Sequence, residues 1–226
     1  MSKKSNPELS LIHGVGINDM MNSTSSPHYT KWYNMLSRCY RKVETEKKNT
    51  YSGDSVDEEW HFLSNFYNWL LSINGYTSGD DSYTNGKCID KNLIIPASSI
   101  YSKETCVFVS PRINKVTFIR ERDDGFPIGV RKESNGHFSV RFCNKYVATK
   151  PTALEAHMVW LGERIKYMSD LAKDEKPKDV VGSMLLERHV KLMNIHVRDG
   201  IEFKKDSFAI IDNDNIDEIL GIFYKD

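Results

Sequence analysis

The most restrictive feature of this sequence is a series of three short alternating segments joined by tight-turn residues. Asn135-Gly136 is a dipeptide typical of two-residue turns between antiparallel strands. Residues 128–132 precede it and residues 137–142 follow it, so both segments are predicted as strands. Cys143-Asn144-Lys145 predicts a second tight turn, which leads to a third strand at residues 146–149. The pattern predicts a three-stranded antiparallel sheet.

A helix is predicted directly after these strands. Thr152 and Glu155 have the spacing of a capping box, in which each side chain accepts a hydrogen bond from a backbone N–H at the helix start. The helix is expected to reach about residue 171. Its apolar residues have helical spacing and are expected to face the sheet: Ala153, Ala156, Val159 and Trp160. Residues 127–172 are therefore predicted to form one unit, a sheet packed on a helix.

A second informative stretch covers residues 87–114. Asp90 ends one apolar, strand-like run, and Asn114 follows another such run. Pairing of the two runs would bring these oxygen-bearing side chains towards one place. Mg²⁺ suits such a site, because it needs few protein ligands and keeps several waters. The sequence therefore places a candidate magnesium site at Asp90 and Asn114.

Two amphipathic helices are predicted before that stretch, at residues 28–43 and 57–73. Their aromatic and aliphatic residues have helical spacing and are interpreted as core: Trp32, Met35, Leu36, Cys39 and Tyr40 in the first, and Trp60, Leu63, Phe66 and Leu70 in the second. The basic residues of the first helix, which include Lys31 and Arg38, either meet phosphates or form a solvated face.

The two ends of the chain complete the predicted organisation. Residues 1–26 are polar and are interpreted as a flexible arm with a short ordered patch around residues 11–12. Residues 178–226 are predicted as a helical extension, with His189 and His196 partly exposed and with a strand and a short helix in an acidic tail. Between these ends lie two predicted units, residues 27–120 and residues 127–172, both of which contain helices and strands. The predicted fold class is therefore α+β.

Composition limits the classes of function. The net charge is zero, so a nucleic-acid site has to come from local charge segregation. The N-terminus lacks the apolar segment of a signal peptide, and no run is long enough to span a bilayer. The four cysteines do not form a Cys-x-x-Cys pair and are interpreted as reduced thiols. We expect a cytoplasmic protein with no membrane partner.

Residues 87–114 resemble a diverged His-Asn-His (HNH) endonuclease motif of phage homing nucleases. Asp90 falls on the family's metal-binding Asp and Asn114 on its closing Asn, whereas Lys91 stands where the family has its general-base His. The resemblance implies a ββα-metal unit within residues 27–120, with Asp90, Lys91 and Asn114 as catalytic residues. It implies Mg²⁺ or Mn²⁺ held by Asp90 and Asn114. Because the His and the motif's middle Asn are replaced, the resemblance implies a nuclease ancestor more strongly than present nuclease activity.

The wider pattern from about Tyr29 to Asn114 resembles a recurrent type of phage-encoded HNH-like protein. It contains Trp-x-x-Met-Leu-x-Arg-Cys-Tyr from Trp32 to Tyr40 and Tyr-Ser-x-Glu-Thr-Cys from Tyr101. Such proteins resemble this chain in having Asp-Lys where HNH enzymes have Asp-His. Lys91 is therefore interpreted as a feature of that lineage.

Residues 127–165 resemble the ethylene-response-factor type of DNA-binding domain, which is also attached to phage homing endonucleases. The matching residues are Gly129-Val130-Arg131, Phe138 to Arg141 and Thr152 to Ala156. In that family the sheet enters the major groove of DNA. The resemblance implies four DNA-contacting residues: Arg131, Lys132, Arg141 and Lys145. Solubilising surface charge is the alternative interpretation of these residues.

These observations predict a phage DNA-binding protein derived from an HNH homing endonuclease, acting on double-stranded DNA in the host cytoplasm. Whether it is a metal-dependent nicking endonuclease stays open, since Lys91 replaces the general base. One alternative is a catalytically inactive DNA-binding regulator. Another is a phage protein that binds a host protein.

Overall fold

The computed structural model describes residues 11–41, 53–80, 82–95, 98–117, 124–204, 207 and 216–225 of the 226-residue chain. Within these ranges the chain forms six α-helices, two two-stranded sheets and one three-stranded sheet. The α+β class predicted from the sequence is confirmed. The N-terminal ten residues, residues 118–123 and the predicted strand in the acidic tail lie outside the described residues.

Helix α1 (Pro27–Tyr40) forms as its sequence predicts. Ser26 caps its start, with the side-chain oxygen accepting a hydrogen bond from the Tyr29 backbone N–H. Pro27 occupies the first turn, where no N–H is needed. Of the five residues predicted as its apolar face, Trp32, Met35 and Leu36 are fully buried, and Cys39 and Tyr40 are half-buried.

The single helix predicted at residues 57–73 is interrupted. A 3-10 helix (Glu58–His61) is followed by an extended Phe62 and then by α2 (Leu63–Ser72). Ile17 causes the break, because its N–H donates to the His61 carbonyl and its own carbonyl accepts from the Leu63 N–H. Residues 11–26 therefore pack against the helices, and the prediction of a flexible arm is wrong for that range.

Two short strand pairs lie between α2 and the next helix. Strand β1 (Ser55–Val56) pairs in parallel with β3 (Ile100–Tyr101). Strand β2 (Cys88–Asp90) pairs antiparallel with β4 (Val107–Val109), and Asp90 lies opposite Val107. Helix α3 (Pro111–Thr117) begins two residues after β4 and packs against β2. The chain thus contains the strand–strand–helix order expected for residues 87–114.

The predicted sheet and its helix are present at nearly the predicted positions. Strands β5 (Val130–Lys132), β6 (Phe138–Phe142) and β7 (Lys145–Lys150) form one antiparallel sheet in the order β5-β6-β7. Helix α4 (Ala153–Glu175) covers one face of this sheet. The capping box of Thr152 and Glu155 is formed in both directions, as the sequence predicts.

Helix α5 (Val180–Asp199) packs antiparallel to α4 and also contacts β4 and α3. Helix α6 (Ile216–Phe223) lies at the end of α2, where the Asn74 N–H donates to the Phe223 carbonyl. The buried apolar residues of α1, the ββα unit, the sheet and α5 form one continuous core. Among the described residues, no helix combines the length and apolarity that a membrane crossing needs.

His189 departs from its prediction. It lies in the middle of α5, only 2% of its surface is exposed, and its Nε2 is 3.4 Å from the Leu93 carbonyl. The prediction of a partly exposed histidine is therefore wrong. His196, near the end of the same helix, is half-buried as expected.

Candidate functional site

Asp90 ends strand β2 and is almost fully buried, with 8% of its surface exposed. Its Oδ1 accepts hydrogen bonds from the backbone N–H groups of Asn92 (2.7 Å) and Leu93 (2.8 Å). Burial raises the pKa of the carboxyl, while these two hydrogen bonds and the nearby Lys91 ammonium act in the opposite direction. One oxygen of this carboxylate is therefore committed to holding the turn after β2.

Lys91 is buried beside Asp90, with 7% of its surface exposed. Its Nζ donates to the Ser98 carbonyl at 2.5 Å and lies 3.3 Å from Oδ1 of Asp54. The ammonium also lies 5.5 Å from the centre of the Tyr101 ring. Lys91 thus forms an ion pair and joins the residue before β1, the turn after β2 and the loop before β3.

Asn114 lies in the middle of α3 and is half-buried. Its backbone N–H donates to the Ser110 carbonyl (3.0 Å), and its carbonyl accepts from the Thr117 hydroxyl (3.0 Å). Since α3 packs against β2, the structure places Asp90 and Asn114 in the same ββα unit. That is the connectivity that the HNH resemblance implies.

A divalent cation fits this unit poorly. Mg²⁺ requires several oxygen ligands in octahedral geometry. One oxygen of Asp90 already accepts two backbone hydrogen bonds, and the neighbouring cation is Lys91. Among the residues that the structure describes, no three His, Cys, Asp or Glu side chains are grouped as they would be around a metal ion. We therefore derive no reaction step through a metal.

The sheet presents a different candidate surface. Its register aligns Val130 with Val140, whose side chains are fully buried on the α4 side. Side chains alternate between the two faces of a strand, so Arg131 and Arg141 project from the opposite face. This face, which α4 leaves uncovered, is called the outer face below. Both of its arginines are exposed.

The other two predicted DNA contacts take different positions. Lys132 lies two residues after Val130 on the edge strand β5, so its side chain is on the same side of the sheet, the side that faces α4. Lys145 follows the β6–β7 turn, where Cys143 and Asn144 adopt positive φ. Both lysines are exposed. The four predicted residues therefore divide into two arginines on the outer face and two lysines at strand ends on the α4 side.

A β-bulge adds two side chains that the sequence did not indicate. The register shifts between Val140 and Arg141, which pairs with Tyr146. A bulge changes which side chains share a face, and here the Tyr146 hydroxyl lies 3.1 Å from Oγ1 of Thr149. Tyr146 is 62% exposed. Strand alternation alone would have put Tyr146 and Thr149 on opposite faces.

One acidic residue also lies on the outer face. Ser139, between the two arginine positions, donates from its hydroxyl to Oε1 of Glu133. The unit nevertheless has a basic balance, because residues 124–152 contain five Lys or Arg and two Asp or Glu. A chain whose net charge is zero therefore carries a local excess of positive charge in this unit, as a nucleic-acid site there requires.

The side of the sheet that faces α4 is fixed by close packing. Gly129 has φ +82°, and a Cβ there would lie 2.1 Å from the Trp160 ring. His157 is completely buried, its Nδ1 lies 2.8 Å from the Ile128 carbonyl, and its Nε2 accepts from the Phe203 N–H. Burial lowers the pKa of this histidine, which favours the neutral ring. The outer face is therefore held on a tightly packed support.

Comparison with known proteins assigns neither surface a role. The likeness of residues 87–114 and 127–165 to two families rests on the residues named above. No protein-family model matches the chain, and no curated protein and no solved structure matches it either.

Proposed function

We propose that this protein binds double-stranded DNA through the outer face of the β5–β7 sheet. The observation that carries the proposal is the pair of exposed arginines, Arg131 and Arg141, on a sheet face that α4 leaves uncovered. The ethylene-response-factor resemblance of the same residues supports it. The HNH resemblance of residues 87–114 supports a phage origin and action in the host cytoplasm.

The chemistry of the face suits a duplex. The major groove is about 12 Å wide and admits a β-ribbon. An arginine can donate two parallel hydrogen bonds to O6 and N7 of guanine, which is the commonest base-specific contact. Tyr146 and Thr149 add hydroxyl donors beside the arginines. Lys132 and Lys145 are exposed at strand ends on the α4 side, and their long side chains are proposed to reach around the edges of the sheet to the flanking phosphates.

The support behind the face favours specific binding. The contacts of Gly129, His157 and Trp160 fix the sheet on α4 before any ligand arrives. A binding surface that is already ordered loses less conformational entropy on association. We therefore expect little change in the sheet when DNA binds.

The first test is titration of a labelled duplex of mixed sequence, followed by fluorescence anisotropy. Replacing both outer-face arginines (Arg131→Ala with Arg141→Ala) removes two charged contacts and is expected to weaken binding by at least about tenfold. The matched control is Lys166→Ala with Lys173→Ala, which removes two exposed charges from α4 and should leave the affinity unchanged. Equal affinities for both double variants would contradict the proposal.

A metal-dependent nicking activity is the second candidate function. It is favoured by the order β2, β4, α3 and by the presence of Asp90 and Asn114 in that unit, whereas the two hydrogen bonds of Asp90 and the neighbouring Lys91 disfavour a divalent cation there. Incubation of supercoiled plasmid with Mg²⁺ or Mn²⁺ tests it. Asp90→Asn is the preferred variant, because the amide oxygen can still accept the hydrogen bonds of Asn92 and Leu93. Nicking by the native protein that disappears in this variant would establish a nuclease.

The remaining outcomes separate the alternatives. Binding without nicking identifies a DNA-binding regulator that has kept the scaffold of a nuclease. If the protein neither binds nor nicks DNA, a host protein is the partner to be sought.

A further inference from the structure

A second basic surface lies far along the sequence from the sheet. Helix α1 and the β2–β4 strand pair enclose a groove of about 470 Å³. Its lining includes Ile89 and Phe108, which lie opposite each other in the antiparallel register of the two strands. Its rim carries three cations, Lys31, Arg38 and Lys87. None of the residues that the structure places in its lining is acidic.

The fold sets the positions of these cations. Lys31 and Arg38 are seven residues apart on α1, which is two helical turns and roughly 10 Å along the axis. The Lys31 ammonium donates to the Thr84 carbonyl at 3.3 Å. The Lys87 ammonium lies 4.1 Å from the centre of the Tyr83 ring. The Thr84 carbonyl and the Tyr83 ring thus each hold one of the two ammonium groups at the groove.

One carboxylate close to Lys87, that of Asp179, already accepts hydrogen bonds from two backbone N–H groups. Oδ1 of Asp179 lies 4.0 Å from the Lys87 ammonium, but the same atom accepts from the Gly182 N–H. The other oxygen of Asp179 accepts from the Ser110 N–H. Asp179 is 3% exposed, so it lies below the rim. Its charge therefore offsets only part of the positive potential of the groove.

We propose that this groove binds the phosphodiester backbone of the DNA, as a second contact besides the outer face of the sheet. The inference rests on the proposed function. Phosphates lie 3.4 Å apart along the axis of each strand, so the Lys31–Arg38 spacing spans the rise of about three of them. The hydroxyl of Thr30 and the amide of Asn34, on the same rim, supply neutral donors to phosphate oxygens.

Occupation of the groove by DNA can be measured at Cys88, because this half-buried cysteine lines the groove. Cys143, exposed at the β6–β7 turn, reports on the sheet in the same experiment. Burial raises the pKa of Cys39 to about 11 and also raises that of the fully buried Cys106, so both should react slowly. The measurement is the rate of N-ethylmaleimide addition to each cysteine, with and without duplex DNA.

The proposal expects the duplex to slow alkylation of Cys88 as well as Cys143. Protection of Cys143 alone would overturn the groove contact and leave the sheet as the DNA site. Protection of Cys88 alone would support the groove and contradict the proposed role of the sheet. Protection of neither would overturn both. Equal protection of Cys88 by millimolar inorganic phosphate would identify a small-anion site and overturn the backbone assignment.

Charge removal gives an independent test. The double substitution Lys31→Ala with Lys87→Ala removes two phosphate contacts. Because each contact contributes about 0.9 to the slope of log binding constant against log salt concentration, the slope is expected to fall by about 2. Lys166→Ala with Lys173→Ala on α4 removes the same charge and should leave the slope unchanged. A slope equal to that of the native protein in the groove variant, with its unfolding midpoint preserved, would overturn the proposal.

Discussion

The carboxylate of Asp179, at the start of α5, accepts a hydrogen bond from the backbone N–H of Ser110, which directly precedes α3 (2.7 Å). Its other oxygen accepts from the Gly182 N–H (3.1 Å) and caps α5. One buried side chain therefore joins the ββα unit to the C-terminal helices. Arg188 adds a second connection by donating from α5 to the Ile94 carbonyl (3.0 Å).

Asp179→Ala is expected to destabilise the whole chain. The substitution leaves two buried N–H groups without their charged acceptor and removes a helix cap, which together cost about 3 kcal/mol in the free energy of unfolding. Urea denaturation at neutral pH measures the loss. Asp170→Ala, at an exposed position on α4, is the control and should change stability by less than about 0.5 kcal/mol. Similar losses for both variants would contradict the connecting role of Asp179.

Gly129 and Gly136 form a matched pair for testing how the sheet rests on α4. Both have positive φ, +82° and +83°, so alanine introduces similar backbone strain at each, about 1 kcal/mol. Only at Gly129 would the new Cβ also overlap Trp160, at 2.1 Å. Gly129→Ala is therefore expected to cost at least about 2 kcal/mol more than Gly136→Ala. Equal losses in thermal unfolding would show that this packing is not as close as described.

A double-mutant cycle tests whether Lys91 has a structural role. Lys91→Met leaves Asp54 without its partner in a mostly buried site and is expected to cost about 3 kcal/mol. Asp54→Asn in the same background should cost much less than in the native protein, because the two charges stabilise each other. The measurement is urea denaturation of the four proteins. Additive losses would show that the ion pair contributes nothing.

The buried His189 predicts a loss of stability in acid. Burial lowers its pKa from 6.5 to about 4, so the folded state binds its proton less readily than the unfolded state does. The contribution of His189 to the free energy of unfolding is fully present above pH 6.5. It is lost as the pH falls towards 4, by up to about 3 kcal/mol. His189→Gln should remove this component. Asp90, whose pKa is raised, acts in the opposite direction but equally in both proteins.

The test measures the free energy of unfolding at pH 7 and at pH 4.5, for the native protein and for His189→Gln. The native protein is expected to lose more stability than His189→Gln over this interval. A larger loss in the variant would contradict the assignment.

Features encoded by neighbouring residues were predictable from the sequence. The Asn135-Gly136 turn and the capping box of Thr152 and Glu155 fixed the sheet and the start of α4, because each signal works within four residues. The break at Phe62 was not predictable, because it depends on Ile17, which is 45 positions away. His189 was misjudged for the same reason, since its partner is the Leu93 carbonyl.

At the candidate surfaces too, local sequence patterns did not predict features that depend on residues far apart in the chain. The sequence indicated that Arg131 and Arg141 would belong to one sheet, and the strand register shows that they share one face. Tyr146 was missed, because its position depends on a bulge that only the register reveals. The commitment of Asp90 to the turn and the pairing of Lys91 with Asp54 depend on tertiary contacts that no local pattern encodes.

The most direct test of the central claim is the salt dependence of duplex binding by the native protein and by two sheet variants. The native affinity should fall linearly with log salt concentration. Lys132→Ala with Lys145→Ala should reduce that slope by about 2, as expected for two lost phosphate contacts. Arg131→Ala with Arg141→Ala should weaken binding at every salt concentration. If both variants reproduce the native curve, or if the native protein binds no duplex at low salt, the outer face of the sheet is not a DNA-binding surface.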